Sequence, residues 1–184
     1  FYKEKNKIKK NTFLIKTALV DITKNATGDE INDNLCDQIS LSLINIMDRK
    51  FGGIQGAPKF PNVPIVENIL RYLNRKKTNN KINHQLVITT LNKMCCGGIY
   101  DHVGGGFARY STDEKWLVPH FEKMLYDNAQ LIELLILGYQ QYKKNELYKS
   151  KIFETIEWVL REMKTKEGGL ASAIDADSEG VEGK

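Results

Sequence analysis

Apolar residues recur at helical spacing over five stretches of the chain, and no stretch of comparable length alternates as a strand would. From about Asp29 to Arg49, Leu35, Ile39, Leu43 and Ile46 share a stripe, with Thr27, Gly28 and Asp29 supplying N-terminal capping chemistry. A second helix is predicted from Val63–Pro64 to about Lys77 through Ile65, Ile69 and Leu73. A third runs from Asn83 to Cys96 through Val87, Leu91 and Met94. The fourth is predicted to start at Pro119, a residue favoured in a first helical turn, and to reach about Tyr142. Its segment "LIELLIL" (131–137) is apolar nearly all round, which predicts burial on both sides. The fifth, Glu146–Lys164, has one stripe of Ile152, Ile156, Val159 and Met163 and is predicted to lie outside it.

Three of these helices are followed by the same phrase: "FGGI" (51–54), "CGGI" (96–99) and "EGGL" (167–170). Glycine suits a helix end because the next residue often needs a positive φ. Successive phrases are separated by two helices, and an antiparallel pair returns the chain to the end it left. The three loops are therefore expected on one rim of a repeating array. Inner and outer helices in alternation, with every second connection at one rim, describe an all-α fold, an α/α toroid of helical hairpins. Five helices amount to about half of such a ring. Residues 1–28 are expected as a linker and residues 29–184 as the first half of the toroid.

Composition narrows the function. The chain has 41% hydrophobic and 27% charged residues, as a globular protein does, and a net charge of +4. Five lysines fall in "FYKEKNKIKK" (1–10), but no basic stripe interleaved with aromatics appears, which argues against nucleic-acid binding. No apolar run approaches a membrane span. Three cysteines, Cys36, Cys95 and Cys96, form no disulfide framework and suggest a reduced, cytoplasmic setting. The chain opens on Phe1 and closes in a glycine- and acid-rich loop, which reads as an internal fragment.

Chemistry is densest in "GGIYDHVGGGFARYSTDEKWLVPHFEKMLYDN" (97–128). If the three loops share a rim, Gln55 and Lys59 come from the first. Asp101, His102, Arg109, Tyr110, Asp113, Trp116 and His120 come from the second, and Asp175, Asp177 and Glu179 from the third. Carboxylates, histidine and aromatic faces around a glycine floor suit a polyhydroxylated ligand. Lys59, His102, Arg109 and Asp113 would hold it, and Tyr110 and Trp116 would stack on it. The same acids could instead cap helices, with Trp116 covering the core. His120, expected in a first helical turn where the dipole favours the neutral ring, is a candidate general base. Asp127 would lie two turns below it, and Glu122 on another face. Paired acids would be drawn from Asp101, Asp113, Asp175 and Asp177. No metal or cofactor is called for. "DADSEG" (175–180) resembles the opening of a calcium loop, but its final acid would lie past the chain.

The phrases "FGGIQGAPKFP", "GGIYDHVGGGFARYSTDEKWLVPHFEKMLYDNAQL" and "DADSEGVEG" resemble the YyaL-type family, also called the spermatogenesis-associated, thioredoxin-like proteins. The resemblance spans about residues 51–183. It implies a thioredoxin-like domain in cis followed by a six-hairpin α/α toroid similar to N-acylglucosamine 2-epimerases and glycoside-acting enzymes. Epimerase, isomerase or glycosidase-like chemistry on a small carbohydrate-like ligand follows as an expectation, with a non-catalytic toroid that binds a ligand or client as the alternative. Two departures stand out. The redox Cys pair is absent, and position 108, often His or Ser in relatives, is Ala.

Overall fold

The computed structural model describes residues 5–23, 32–76 and 80–182. Its contacts divide the chain into two units, residues 1–36 and 37–184. In the first, α1 (Lys5–Thr23) is a helix inside the stretch expected as a linker. It lacks Gly and Pro and is rich in Lys, which favours helix. Its Phe13, Leu14 and Ile15 are contiguous rather than periodic, and all are exposed.

The next helix, α2 (Asp33–Asn45), starts later than expected, because the Asn32 side chain accepts from the Leu35 amide and caps it there. The capping residues Thr27–Asp29 lie outside the described residues. The buried face also differs. Ile39 and Ile46 are exposed, whereas Ser40, Ile44 and Met47 are buried, and Ser40 is satisfied by Asn68 at 2.9 Å. The second unit continues with α3 (Val63–Arg75), α4 (Lys81–Cys96), α5 (Leu125–Gln141) and α6 (Glu146–Trp158). α3 buries Ile69 and Leu73, and α4 buries Val87, Leu91 and Met94, as their spacing predicts. α3 packs on α5 and α4 packs on α6, besides the contacts between consecutive helices. Alternate helices thus form two layers, the arrangement of an α/α toroid wall.

α5 is not buried all round. Leu131, Leu134 and Leu135 are buried, but Ile136 is 39% exposed on the opposite face with Glu133. α6 buries Tyr148, Ile152, Thr155 and Trp158, and leaves Ile156 at the surface. A π-helical turn, Val159–Met163, then adds a residue to the repeat and returns Met163 to the interior.

Helix is not the whole fold. Three short antiparallel ladders stitch the loops: β1 (Tyr110–Ser111) with β2 (Pro119–His120), β3 (Lys123–Met124) with β4 (Ala173–Ile174), and β5 (Asp177–Ser178) with β6 (Val181–Glu182). Among the described residues, no helix is long and apolar enough to cross a membrane.

Candidate functional site

The first two glycine phrases meet at one buried aromatic ring, and the loop that follows the third is tied to the same region by backbone pairing. Trp116 is fully buried, and its Nε1–H donates to the Phe51 carbonyl at 2.9 Å. Gly53, at φ 68°, lies flat against that indole; a Cβ there would sit 2.5 Å from the ring. From the other side, a Cβ on Gly97 would come within 2.6 Å of the Trp116 carbonyl. The second loop folds back on itself through an Ile99–Ala108 hairpin, with Asp101 donating its amide to the Gly106 carbonyl at 2.9 Å. The Gly105–Gly106 turn has positive φ and rests on Trp158, where a Cβ on Gly106 would lie 2.6 Å from the ring. Buried Asn128 clamps this hairpin to α5. Its Oδ1 accepts from the Phe107 amide at 2.7 Å, and its Nδ2 donates to the Phe107 carbonyl at 3.0 Å. The third loop joins through β3–β4 and through the Leu125 amide, which donates to the Ser172 carbonyl at 3.0 Å.

Several residues expected at the mouth are spent on holding the loops. Lys59 is 2% exposed; its ammonium donates to Asp48 at 2.8 Å and to the Gly52 carbonyl at 2.9 Å. It therefore faces no ligand. Trp116 has no exposed face to stack on anything. Asp113 accepts from the Lys115 and Val118 amides at 2.6 Å and from the Ser111 hydroxyl at 2.9 Å. Burial opposes its ionisation, but those donors outweigh it and hold the carboxyl below the usual range. His102 is hydrogen-bonded through Nε2 to the Gly97 carbonyl at 2.9 Å and sits edge-on to Tyr100.

His120 does not open a helix. It lies in β2, paired with Tyr110, because the backbone of this stretch is claimed by its neighbours: the Thr112 amide donates to Val118 and the Arg109 amide to Glu122. The helix begins only at Leu125, so neither the helix dipole nor a shared helical face links His120 to Asp127. The strand pairing makes a different arrangement. The His120 ring stacks on Tyr110 at 4.7 Å and 16°, and Phe60 packs on Tyr110 at 4.7 Å. Two residues along, Glu122 accepts from Arg109 at 2.8 Å, and this bond, with Tyr126 beside it, keeps Arg109 firmly charged. Next to the pair stands Asp127, in the first turn of α5. Its Oδ2 is buried without a hydrogen-bond partner. Burial pushes its carboxyl up to about 6, with Arg109 pulling down and Glu122 pushing up. A carboxyl so placed exchanges its proton near neutrality, as a general acid or base must.

The intervening residues, Phe121 and Lys123, line a separate cavity of about 340 Å³ with Asp101, Trp158, Arg161, Glu162 and Asp175. Asp101 and Asp175 thus converge as expected, but not with His120 and Asp127, which are absent from that lining. Asp101 is saturated. Burial opposes its ionisation, but the Gly104 amide, the Lys123 ammonium and the Val103 amide draw it down to about 2. Asp177 and Glu179 are exposed in the β5–β6 hairpin. Phe121, Lys123, Trp158, Arg161 and Glu162 escape sequence reasoning. The only hint for the first two is that residues two apart on an extended strand share a face. A larger hollow of about 400 Å³, lined by Arg49, Lys81, Ile82, Gln85, Leu86 and Thr89, lies along α4 and holds no acid or histidine.

The chain is 36% identical to human spermatogenesis-associated protein 20 over 184 residues, which is 95% of this chain and 23% of that protein. The chain therefore spans about a quarter of the length of that curated relative. Among solved structures, cellobiose 2-epimerase from Spirochaeta thermophila superposes with a TM-score of 0.60 at 16% identity, over 78% of this chain and 41% of the enzyme. A D-mannose isomerase superposes with a TM-score of 0.55 at 15% identity, over 77% of this chain and 39% of that one. These likenesses establish the fold, a partial α/α toroid. No protein-family model matches the chain.

Proposed function

Because the chain belongs to the family of spermatogenesis-associated protein 20 over the stretch it spans, we propose that it supplies the acid–base half of a carbohydrate-active toroid, epimerase/isomerase- or glycosidase-like. Asp127 moves the proton, as base when ionised and as acid when protonated. Arg109 and Glu122 set its affinity for that proton from either side, and His120, held flat on Tyr110, is the second proton-transfer group. The observation that carries this reading is the orphaned, half-buried Asp127 carboxyl, poised to titrate at about 6 beside an ion pair. The reading includes a cytoplasmic setting and a thioredoxin-like domain in cis in the whole protein.

A second reading, a toroid that binds a ligand or client without converting it, draws on the saturation of Asp101 and Asp113 by backbone amides. Two carboxylates proposed as acid partners are then fixed in the charged form. NMR of mono- and disaccharides incubated with the whole protein separates the two. Conversion that falls by about 10²–10⁴-fold in Asp127→Asn and His120→Asn supports catalysis. Binding with no conversion in the wild type supports the second reading, and unchanged turnover in either variant removes that residue from the mechanism.

A further inference from the structure

The cavity lined by Phe121 and Lys123 holds a different set of groups from the acid–base cluster. Its floor is the Trp158 indole, with the Lys123 ammonium 5.1 Å above it. That ammonium donates to Asp101 at 2.7 Å and to the Gly105 carbonyl at 2.8 Å, so one of its three N–H bonds remains. Arg161, exposed in the π-helical turn, uses Nε on Glu162 at 2.8 Å and Nη2 on the Gly104 carbonyl, leaving further N–H groups of its five. Asp175 accepts one long bond from the Asp177 amide at 3.4 Å and, among the described residues, makes no ion pair. The Phe121 ring is 52% exposed.

The charges pair off unevenly. Asp101 is matched by Lys123 and Glu162 by Arg161, which leaves Asp175 as an unmatched negative charge in the lining. An anionic ligand would be repelled there. A neutral ring of hydroxyls would not: vicinal hydroxyls donate to Asp175, others accept from Lys123 and Arg161, and the apolar ring face covers Phe121. At about 340 Å³ the space lies at the small end of the roughly 300–1,000 Å³ of ligand pockets, enough for one ring.

We propose that this cavity, bounded by Phe121, Lys123, Arg161 and Asp175, seats a neutral, unphosphorylated sugar ring. The inference rests on the carbohydrate reading above and narrows it to a substrate class. Calorimetric titration of the whole protein with glucose, mannose and N-acetylglucosamine, and with glucose and mannose 6-phosphates, tests it. At least one neutral sugar should bind, and its 6-phosphate should bind at least tenfold more weakly. Asp175→Ala and Phe121→Ala, both surface changes whose folding is checked by circular dichroism, should each weaken binding about tenfold. Tighter binding of a phosphate, wild-type affinity in both variants, or no neutral sugar bound at all overturns the assignment. Asp127→Asn is the separate arm. Conversion by wild type with no effect of Asp175→Ala or Phe121→Ala sinks this cavity alone. Full conversion by Asp127→Asn, with binding weakened by Asp175→Ala, sinks only the role of Asp127.

Discussion

Replacing Asp127 by Asn should stabilise the protein above neutral pH, because the native site disfavours the charge that function requires. The carboxyl rises from 3.8 to about 6 on folding, chiefly through burial. Each unit is worth about 1.4 kcal/mol, which sets an upper bound of about 3 kcal/mol. The side chain is only half-buried, so solvent screening reduces this to about 1 kcal/mol. The sign follows from proton counting. Between pH 4 and 6 the folded state binds more protons here than the unfolded state, so stability falls as pH rises through that window. Below it both states are protonated and the cost vanishes. Asn mimics the neutral acid, so wild type and variant should have equal stability near pH 4. They should diverge across pH 4–6, with the variant ahead by about 1 kcal/mol from pH 7 upward. Urea unfolding of the whole protein at pH 4, 5, 6 and 8, following the toroid transition, measures this. A variant less stable than wild type at pH 8, or a difference that ignores pH, would show that the carboxylate is well solvated or bonded in the native state. The acid–base role would then lose its basis.

Lys59→Met should destabilise by about 3 kcal/mol in urea unfolding, since it strands Asp48 and the Gly52 carbonyl against a buried surface; a loss under about 1 kcal/mol would place Lys59 back among groups free to meet a ligand. Glu122→Gln removes a negative neighbour of Asp127 and frees Arg109 to act on it, so the acidic limb of any pH–activity profile should move to lower pH. An upward or absent shift would show that the Arg109–Glu122 pair does not tune Asp127.

Helices were legible where one apolar stripe met one obvious partner. Val87, Leu91 and Met94, or Ile69 and Leu73, leave a helix no other face to bury. On α2 two faces competed, and the winner contains Ser40, whose hydroxyl donates to Asn68 across the interface. The glycine phrases were legible as loops sharing a rim, and Asp101, His120, Glu122 and Asp127 as chemistry concentrated there. Their grouping was not. It follows from the segment 119–124, two short strands joined at a bend, which places His120 and Glu122 against Tyr110 and Arg109 and places Phe121 and Lys123 with Trp158.

Local order along the chain therefore determined the helical hairpins, their repeat and the position of the reactive loop, because periodicity and turn chemistry act between residues a few places apart. Tertiary structure alone decided that Pro119 begins a strand, that Lys59 and Trp116 are buried, and that an Asp127 carboxylate oxygen is buried without a hydrogen-bond partner. Each of those outcomes depends on which distant carbonyl, amide or ring reaches a group first and shuts water away from it.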